Sequence, residues 1–162
     1  MLLKFLLSTL LLRLPYFDRC FYCICLHESG CRPIGCNPDR GSLSCGYYQI
    51  KLPYYKDCGE PDKRPGESTE NAWKRCSDDY ACATTCVENY FNRYRYKCPG
   101  KSDCEAMARL HNGGPNGCQS SSTDGYWNTV RKKLVTNILL TIFINDNNNN
   151  SFFQIKRCFG SK

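Results

Sequence analysis

The chain has 162 residues, room for one ordinary domain, and 14 Cys, several times the average usage. Cysteines in that number, scattered rather than paired, read as a disulfide framework and an oxidising compartment; a zinc-knuckle protein is disfavoured, because the only CxxC is Cys20 to Cys23 and the two His are far apart. The net charge of +7 suits acidic partners, but residues 20–134 hold 16 Lys and Arg against 13 Asp and Glu, leaving +3, a mixed solvated surface rather than a nucleic-acid-binding field. A mean hydropathy of -0.52 leaves few aliphatics for a core, so cross-links of about 2 to 4 kcal/mol each are expected to supplement burial.

Residues 1–17 read as a secretion signal. The run MLLKFLLSTLLLRLP is interrupted by Lys4 and Arg13, is too short to span a membrane, and lacks a clear small-x-small cleavage site. From residue 18 a cysteine-rich domain runs to about 134, framed by Cys20, Cys23, Cys25, Cys31, Cys36, Cys45, Cys58, Cys76, Cys82, Cys86, Cys98, Cys104 and Cys118. LHESGC closes a short helix, and GSLSCGYYQIK reads as strand, turn and strand.

Residues 58–75, with two Pro, two Gly and many charges, read as a loop. Next, Cys82, Cys86, Tyr90 and Tyr94 recur four apart on one helix face, with Ser77 and the acids after it suited to the N-terminus. CEAMARLHN forms another helix, stopped by Asn112-Gly113-Gly114-Pro115, and GYWNTVRKKL a further short one. Residues 135–162 change composition, with an Asn run, and read as a disordered tail or translated intron sequence; the apolar stretch VTNILLTIFI is too short and too polar for a bilayer span.

Glycoside hydrolysis needs one carboxyl group that is protonated and one that is ionised. Glu28 lies among Ile24, Leu26 and several Cys, where burial is expected to raise its pKa; Asp39 lies beside Arg40 in NPDRGS, where polar neighbours keep it ionised. On spacing alone the pair is weak, since surface carboxylates are the default among 15 acids.

The surrounding motifs are more specific. CICLHESGCRPIGCNPDRGSLSCGYYQIK, then PYYKDCG, CATTCVENYFNRY, ARLHNGGPNGC and GYWN, in that order, closely resemble the invertebrate-type lysozymes, the family that includes the destabilases, from about Cys20 to Trp127. The resemblance implies an α+β lysozyme-like domain, with helices around a short antiparallel hairpin or sheet. It makes Glu28 the general acid and Asp39 the second carboxylate, acting on the β-1,4 link of peptidoglycan, with chitin-like oligosaccharides as secondary substrates. No metal or organic cofactor, no nucleic acid and no stable membrane insertion is expected, and a monomer is.

Tyr47 and Tyr48 and the loop from His111 through Asn112 and Gly113 are the places to look for sugar contacts, although a Tyr on a strand more often belongs to the core and His111 also suits a helix end. The resemblance also brings an isopeptidase activity, proposed for a Ser/Lys pair at Ser42 and Lys51 with His111 as a further participant. That chemistry requires Lys51 to lose its proton, whereas an exposed Lys at a strand end is ordinarily charged. Two features depart from the family pattern. The loop after Cys58 is longer, and the last Cys, Cys158, lies beyond the Asn run, so the domain holds 13 Cys and six bridges with one left over. The rival classes are a glycan-binding module without catalysis and a membrane-active antimicrobial protein on the same cysteine frame.

Overall fold

Residues 16–146 are described by the structure, a computed structural model. The expected signal segment lies outside them except for its last two residues, and so do residues 147–162 with Cys158. The chain forms α1 (Tyr16–Glu28), β1 (Cys36–Asp39), β2 (Ser42–Cys45), β3 (Ile50–Lys51), α2 (Leu52–Asp57), α3 (Thr69–Ser77), α4 (Tyr80–Tyr94), α5 (Asp103–Gly113) and α6 (Asp124–Asp146), with short 3-10 turns between α4 and α6. This is the α+β arrangement expected: helices around a small antiparallel sheet in the order β1-β2-β3.

The sheet is a tight hairpin extended by two residues. Cys36 pairs with Cys45 and Asp39 with Ser42 across β1 and β2, and Ser44 pairs with Lys51 across β2 and β3. The turn between β1 and β2 is Arg40-Gly41, both at positive φ, as a two-residue hairpin turn requires. Strand β1 has little sequence signal because it carries Pro38, which is tolerated only on an edge strand. In YYQIK only Ile50 and Lys51 are strand; Gln49 sits at φ +49 in the preceding turn. Gly46 is obligatory at the other end of β2: it has φ +68, and a Cβ there would lie 1.7 Å from the Ser77 carbonyl oxygen.

Residues 69–75, read from the sequence as loop, belong to α3. Ser68 caps it by accepting from the Asn71 N–H, and Ala72, Trp73 and Cys76 form its buried face. The N-terminus of α4 is capped by Asp79, which accepts from the Cys82 N–H, and not by Ser77, which is buried at the end of α3. Helix α4 otherwise follows the four-residue spacing, burying Cys82, Cys86 and Tyr90. Helix α5 is the central element, burying Cys104, Ala106, Met107, Ala108, Arg109 and Leu110 against α1, α4 and α6. The last helix is longer than the short one expected and continues past Leu134, so residues 135–146 are helical rather than a disordered tail; Val130 and Leu134 anchor it to the core. Among the described residues no helix is long and apolar enough to cross a membrane.

Six disulfides hold these elements: Cys20–Cys104, Cys25–Cys31, Cys36–Cys45, Cys58–Cys86, Cys76–Cys82 and Cys98–Cys118. The thirteenth domain cysteine, Cys23, is buried on α1 outside these six. The bridges differ in weight. On the loop-entropy account Cys20–Cys104, closing 84 positions, stabilises by about 4.5 kcal/mol, against about 2.4 kcal/mol for a six-position loop such as Cys25–Cys31.

Candidate active site

Glu28 is the final residue of α1. The chain leaves the helix through Gly30 at φ +67, the Cys31 N–H closes back on the Cys25 carbonyl at 3.1 Å, and the Cys25–Cys31 disulfide locks that turn. Ser29 ties the same turn to the sheet by donating to the Tyr47 carbonyl at 2.8 Å. The carboxylate is therefore carried by a clamped helix end, beside the last β-turn and α5.

Two side chains hold it. Tyr126, from the first turn of α6, donates its hydroxyl to Glu28 Oε1 at 2.6 Å, and His111 Nε2, at the end of α5, lies 3.6 Å from the same oxygen. The His111 ring is only 5% exposed. Its Nε2 is 3.0 Å from the Tyr48 carbonyl, which can only accept, so Nε2 carries a hydrogen; Nδ1 lies 3.3 Å from the Tyr54 hydroxyl.

The ionisation of Glu28 differs from the sequence expectation. Burial pushes the carboxyl up, but the close polar contact and the charge of His111, the hydrogen bond from the Tyr126 hydroxyl and nearby His27 outweigh it and leave the pKa below the ordinary carboxylate value. Burial is the largest single cause and still loses, because the other four all favour the anion. Tyr126 stays a phenol, its pKa driven far up by burial and by Glu28 itself.

Asp39 ends β1, opposite Ser42, and its side chain is 46% exposed. Lys51 Nζ lies 3.0 Å from Asp39 Oδ2 and Ser44 donates to the same oxygen at 3.2 Å. The hydrogen bond from Lys51, then those from Ser44 and the charges of Lys51 and Arg40, hold its pKa below the ordinary value against a modest desolvation. Asp39 is thus held toward its carboxylate form beside Lys51.

Glu28 and Asp39 line one cavity of about 370 Å³, with Ser44, Lys51, Tyr54, Asp57, Tyr90, His111 and Asn112 among the other walls. Tyr54 and Tyr90 stack at 3.7 Å between ring centroids and give this cavity its aromatic surface. The sugar contacts expected from Tyr47 and Tyr48 are not found there. Tyr48 is 0% exposed, with its hydroxyl 3.0 Å from Thr84, so it belongs to the core and presents only its carbonyl to His111. Tyr47 packs edge-on against Tyr80 away from the cavity walls, whereas His111 and Asn112 line the cavity, and Gly113 does not.

Ser42 and Lys51 meet, with Lys51 Nζ 2.9 Å from Ser42 Oγ. The direction of that bond is unfavourable to a Ser/Lys nucleophile. The three ammonium hydrogens of Lys51 serve Ser42 Oγ, the Asp39 carbonyl and Asp39 Oδ2, while the Ser42 hydroxyl donates to the Asp39 carbonyl. His111, bonded to Tyr48 and Tyr54, takes no part in this pair. Among the described residues no cluster of three or more metal-ligating side chains is present.

The profile of the family described as Destabilase matches residues 17–133. The chain belongs to the Destabilase family. It is 67% identical over 114 residues to "Invertebrate-type lysozyme 3" of Caenorhabditis elegans, covering 69% of this chain and 82% of that protein. Among solved structures it is similar to the crystal structure of Tapes japonica lysozyme, with a TM-score of 0.61 and 52% identity over 70% of this chain and 87% of that one. A crystal structure of Meretrix lusoria lysozyme in complex with Aeromonas hydrophila PliI is equally similar, with a TM-score of 0.60, 52% identity and the same coverage. Relatives at this identity are named lysozymes, which are glycoside hydrolases, and this family member has a lysozyme's fold and a cleft lined by Glu28, Asp39 and Asp57.

Tyr126 is the site residue missed in the family motif GYWN, where it counted only as part of a helix. Tyr54 and Asp57, in PYYKD, also line the cavity, and the sequence pattern assigns them no role. Their signal was present, but their direction depends on how α2 and α6 pack.

Proposed function

We propose that the chain is a secreted lysozyme that hydrolyses the β-1,4 bond between N-acetylmuramic acid and N-acetylglucosamine in peptidoglycan, with chitin-like oligosaccharides as secondary substrates. The observation that carries this reading is that Glu28 and Asp39 face one cavity from different environments: Glu28 largely buried, Asp39 open and paired with Lys51. Two carboxyl groups with two environments can divide the labour of glycoside cleavage.

Glu28 donates a proton to the glycosidic oxygen as the bond breaks, and Asp39 faces the positive charge that develops on the sugar. For the first step Glu28 must hold a proton that the free protein disfavours. A sugar seated between Tyr54, His111 and Asn112 excludes water from Glu28 and strengthens the burial that already pushes its carboxyl up, so the acid form is favoured when substrate is bound. The six disulfides support work in an oxidising, extracellular setting.

The test is clearing of a Gram-positive cell-wall suspension. The wild-type chain should clear it, and Glu28→Gln, which keeps the shape but has no transferable proton, should lower the rate by about 10²-fold or more. Equal clearing by the two sinks the assignment. Bacterial killing that survives in Glu28→Gln supports instead a membrane-active protein, and muramyl-glycan binding without cleavage by the wild-type chain a silent glycan binder.

A further inference from the structure

A second cavity, of about 440 Å³, adjoins the catalytic one and is lined by His27, Arg40, Asn112, Ser122, Gly125, Tyr126 and Thr129. Three links join the two. Asn112 lines both, Arg40 follows Asp39 in the hairpin turn, and His27 precedes Glu28 on α1. Tyr126 lines the second cavity while its hydroxyl holds Glu28 in the first.

The chemistry of the second cavity differs from that of the first. Its walls carry no carboxylate, whereas the catalytic cavity carries Glu28, Asp39 and Asp57. The Arg40 guanidinium makes no hydrogen bond or ion pair among the described residues, and the side chains of Asn112 and His27 donate no hydrogen bond there either. His27 is held instead by its ring, edge-on to Tyr126 at 4.7 Å. Burial disfavours protonation of His27, and Lys133 of α6 adds to that against the opposing charge of Glu28, so His27 faces this arm as a neutral ring beside the cationic Arg40. Arg40 is also held at φ +48, a backbone conformation that Gly, Asn or Asp adopt more readily. An uncommitted guanidinium beside amide and imidazole donors is a receptor for a carboxylate.

We infer that this arm binds the carboxylate-bearing substituent of the muramic acid residue next to the scissile bond, and so selects an anionic glycan over a neutral one. Muramic acid differs from N-acetylglucosamine by a lactyl ether that ends in a free carboxylate where no peptide is attached; where a stem is attached, that carboxyl is an amide and the carboxylates are those of the peptide. A neutral chitin-like chain offers Arg40 nothing to pair with. The position is appropriate, since the sugar that bears the carboxylate is itself a partner in the bond that Glu28 and Asp39 cleave. The assignment rests on the peptidoglycan reading and names which part of that polymer the cleft distinguishes.

Binding tests it without turnover. In a Glu28→Gln background, dissociation constants are measured for a soluble muramic-acid-containing tetrasaccharide without peptide and for the N-acetylglucosamine tetramer. The muramyl glycan is expected to bind more tightly, and the added substitution Arg40→Gln to reduce the ratio of the two affinities about tenfold, the effect of losing one charge-assisted bond. Arg40→Lys should retain part of the preference. Because Arg40 also helps to keep Asp39 ionised, Arg40→Gln can weaken both sugars together; only the ratio reports the carboxylate. A ratio unchanged by Arg40→Gln, or no muramyl preference at the outset, overturns the inference. Cell-wall clearing by the wild-type chain is read separately: preference without cleavage sinks the lysozyme proposal and spares this one, and cleavage without preference does the reverse.

Discussion

Tyr126 donates its hydroxyl to Glu28 Oε1 at 2.6 Å, joining residues 98 positions apart, and with His111 it lowers the pKa of this proposed proton donor and favours its anion in the free protein. Both partners lower the Glu28 pKa, so removing either should raise it. Activity of a general acid is lost as pH rises through its pKa, and the alkaline limb of kcat/KM reports the free enzyme. Tyr126→Phe and His111→Gln are each expected to move that limb to higher pH. In the wild-type chain the limb of kcat, which reports the sugar complex, should lie above that of kcat/KM. A pH–rate series on soluble glycan measures all three, and a limb unmoved in both variants would contradict the arrangement.

Asp39 is held below its ordinary pKa first by Lys51. Asp39 must be ionised to act, so activity should fall as pH drops through its pKa, and the pairing with Lys51 extends activity to more acidic pH. Lys51→Met raises the Asp39 pKa and is expected to move the acid limb upward, with a loss of about tenfold or less at the optimum. The same variant tests the isopeptidase reading. Since Lys51 donates to Ser42, the wild-type chain should cleave a γ-glutamyl-lysine isopeptide no faster than Lys51→Met does.

The long loop before α3 is fastened by charge. Arg75 reaches Glu67 through Nε and a terminal nitrogen at 3.1 and 2.8 Å, and also pairs with Asp62. The bonds from Arg75, then the Arg64 N–H, bring Glu67 from 4.5 down to about 2. A carboxylate with a depressed folded pKa adds stability that is fully present above its unfolded value and is lost as pH falls through the folded one. The wild-type melting temperature should therefore fall between about pH 4.5 and about pH 2. Glu67→Gln should flatten that fall, as followed by circular dichroism.

The Cys20–Cys104 bridge joins α1, which carries Glu28, to α5, which carries His111. Replacing both cysteines by Ser should cost about 4 to 5 kcal/mol and lower the melting temperature by about 15 °C or more. The equivalent change at Cys25 and Cys31 should cost roughly half as much. Thermal melts of the two double variants check the order, and a larger loss at the short bridge would show that clamping the helix end outweighs loop entropy.

Much of the site was legible locally. Glu28 and Asp39 stand in motifs whose neighbours specify a helix end and a hairpin turn, and cysteine spacing together with four-residue periodicity located α4 and α5. Where the sequence reading missed, a longer-range contact competed with a local signal. Charges around residues 58–75 masked the buried Ala72 and Trp73 of α3, and Pro38 hid an edge strand that pairs only because β2 follows it. For Tyr48 the sequence left both a sugar contact and the core open, with the core the more frequent outcome for a strand Tyr, and packing against Tyr80 and Thr84 places it in the core.

By itself the sequence pointed to a cysteine-rich, cross-linked α+β domain and to Glu28 and Asp39 as candidate carboxylates, because the motifs around them are contiguous in the chain; which cysteines pair, as Cys20 does with Cys104 across 84 positions, it left open. Only the tertiary structure decided how those carboxylates behave. The state of Glu28 is a balance between burial and donors on α5 and α6, and that of Asp39 depends on an ammonium from β3; such couplings act through space at a few ångströms, where sequence spacing carries no distance.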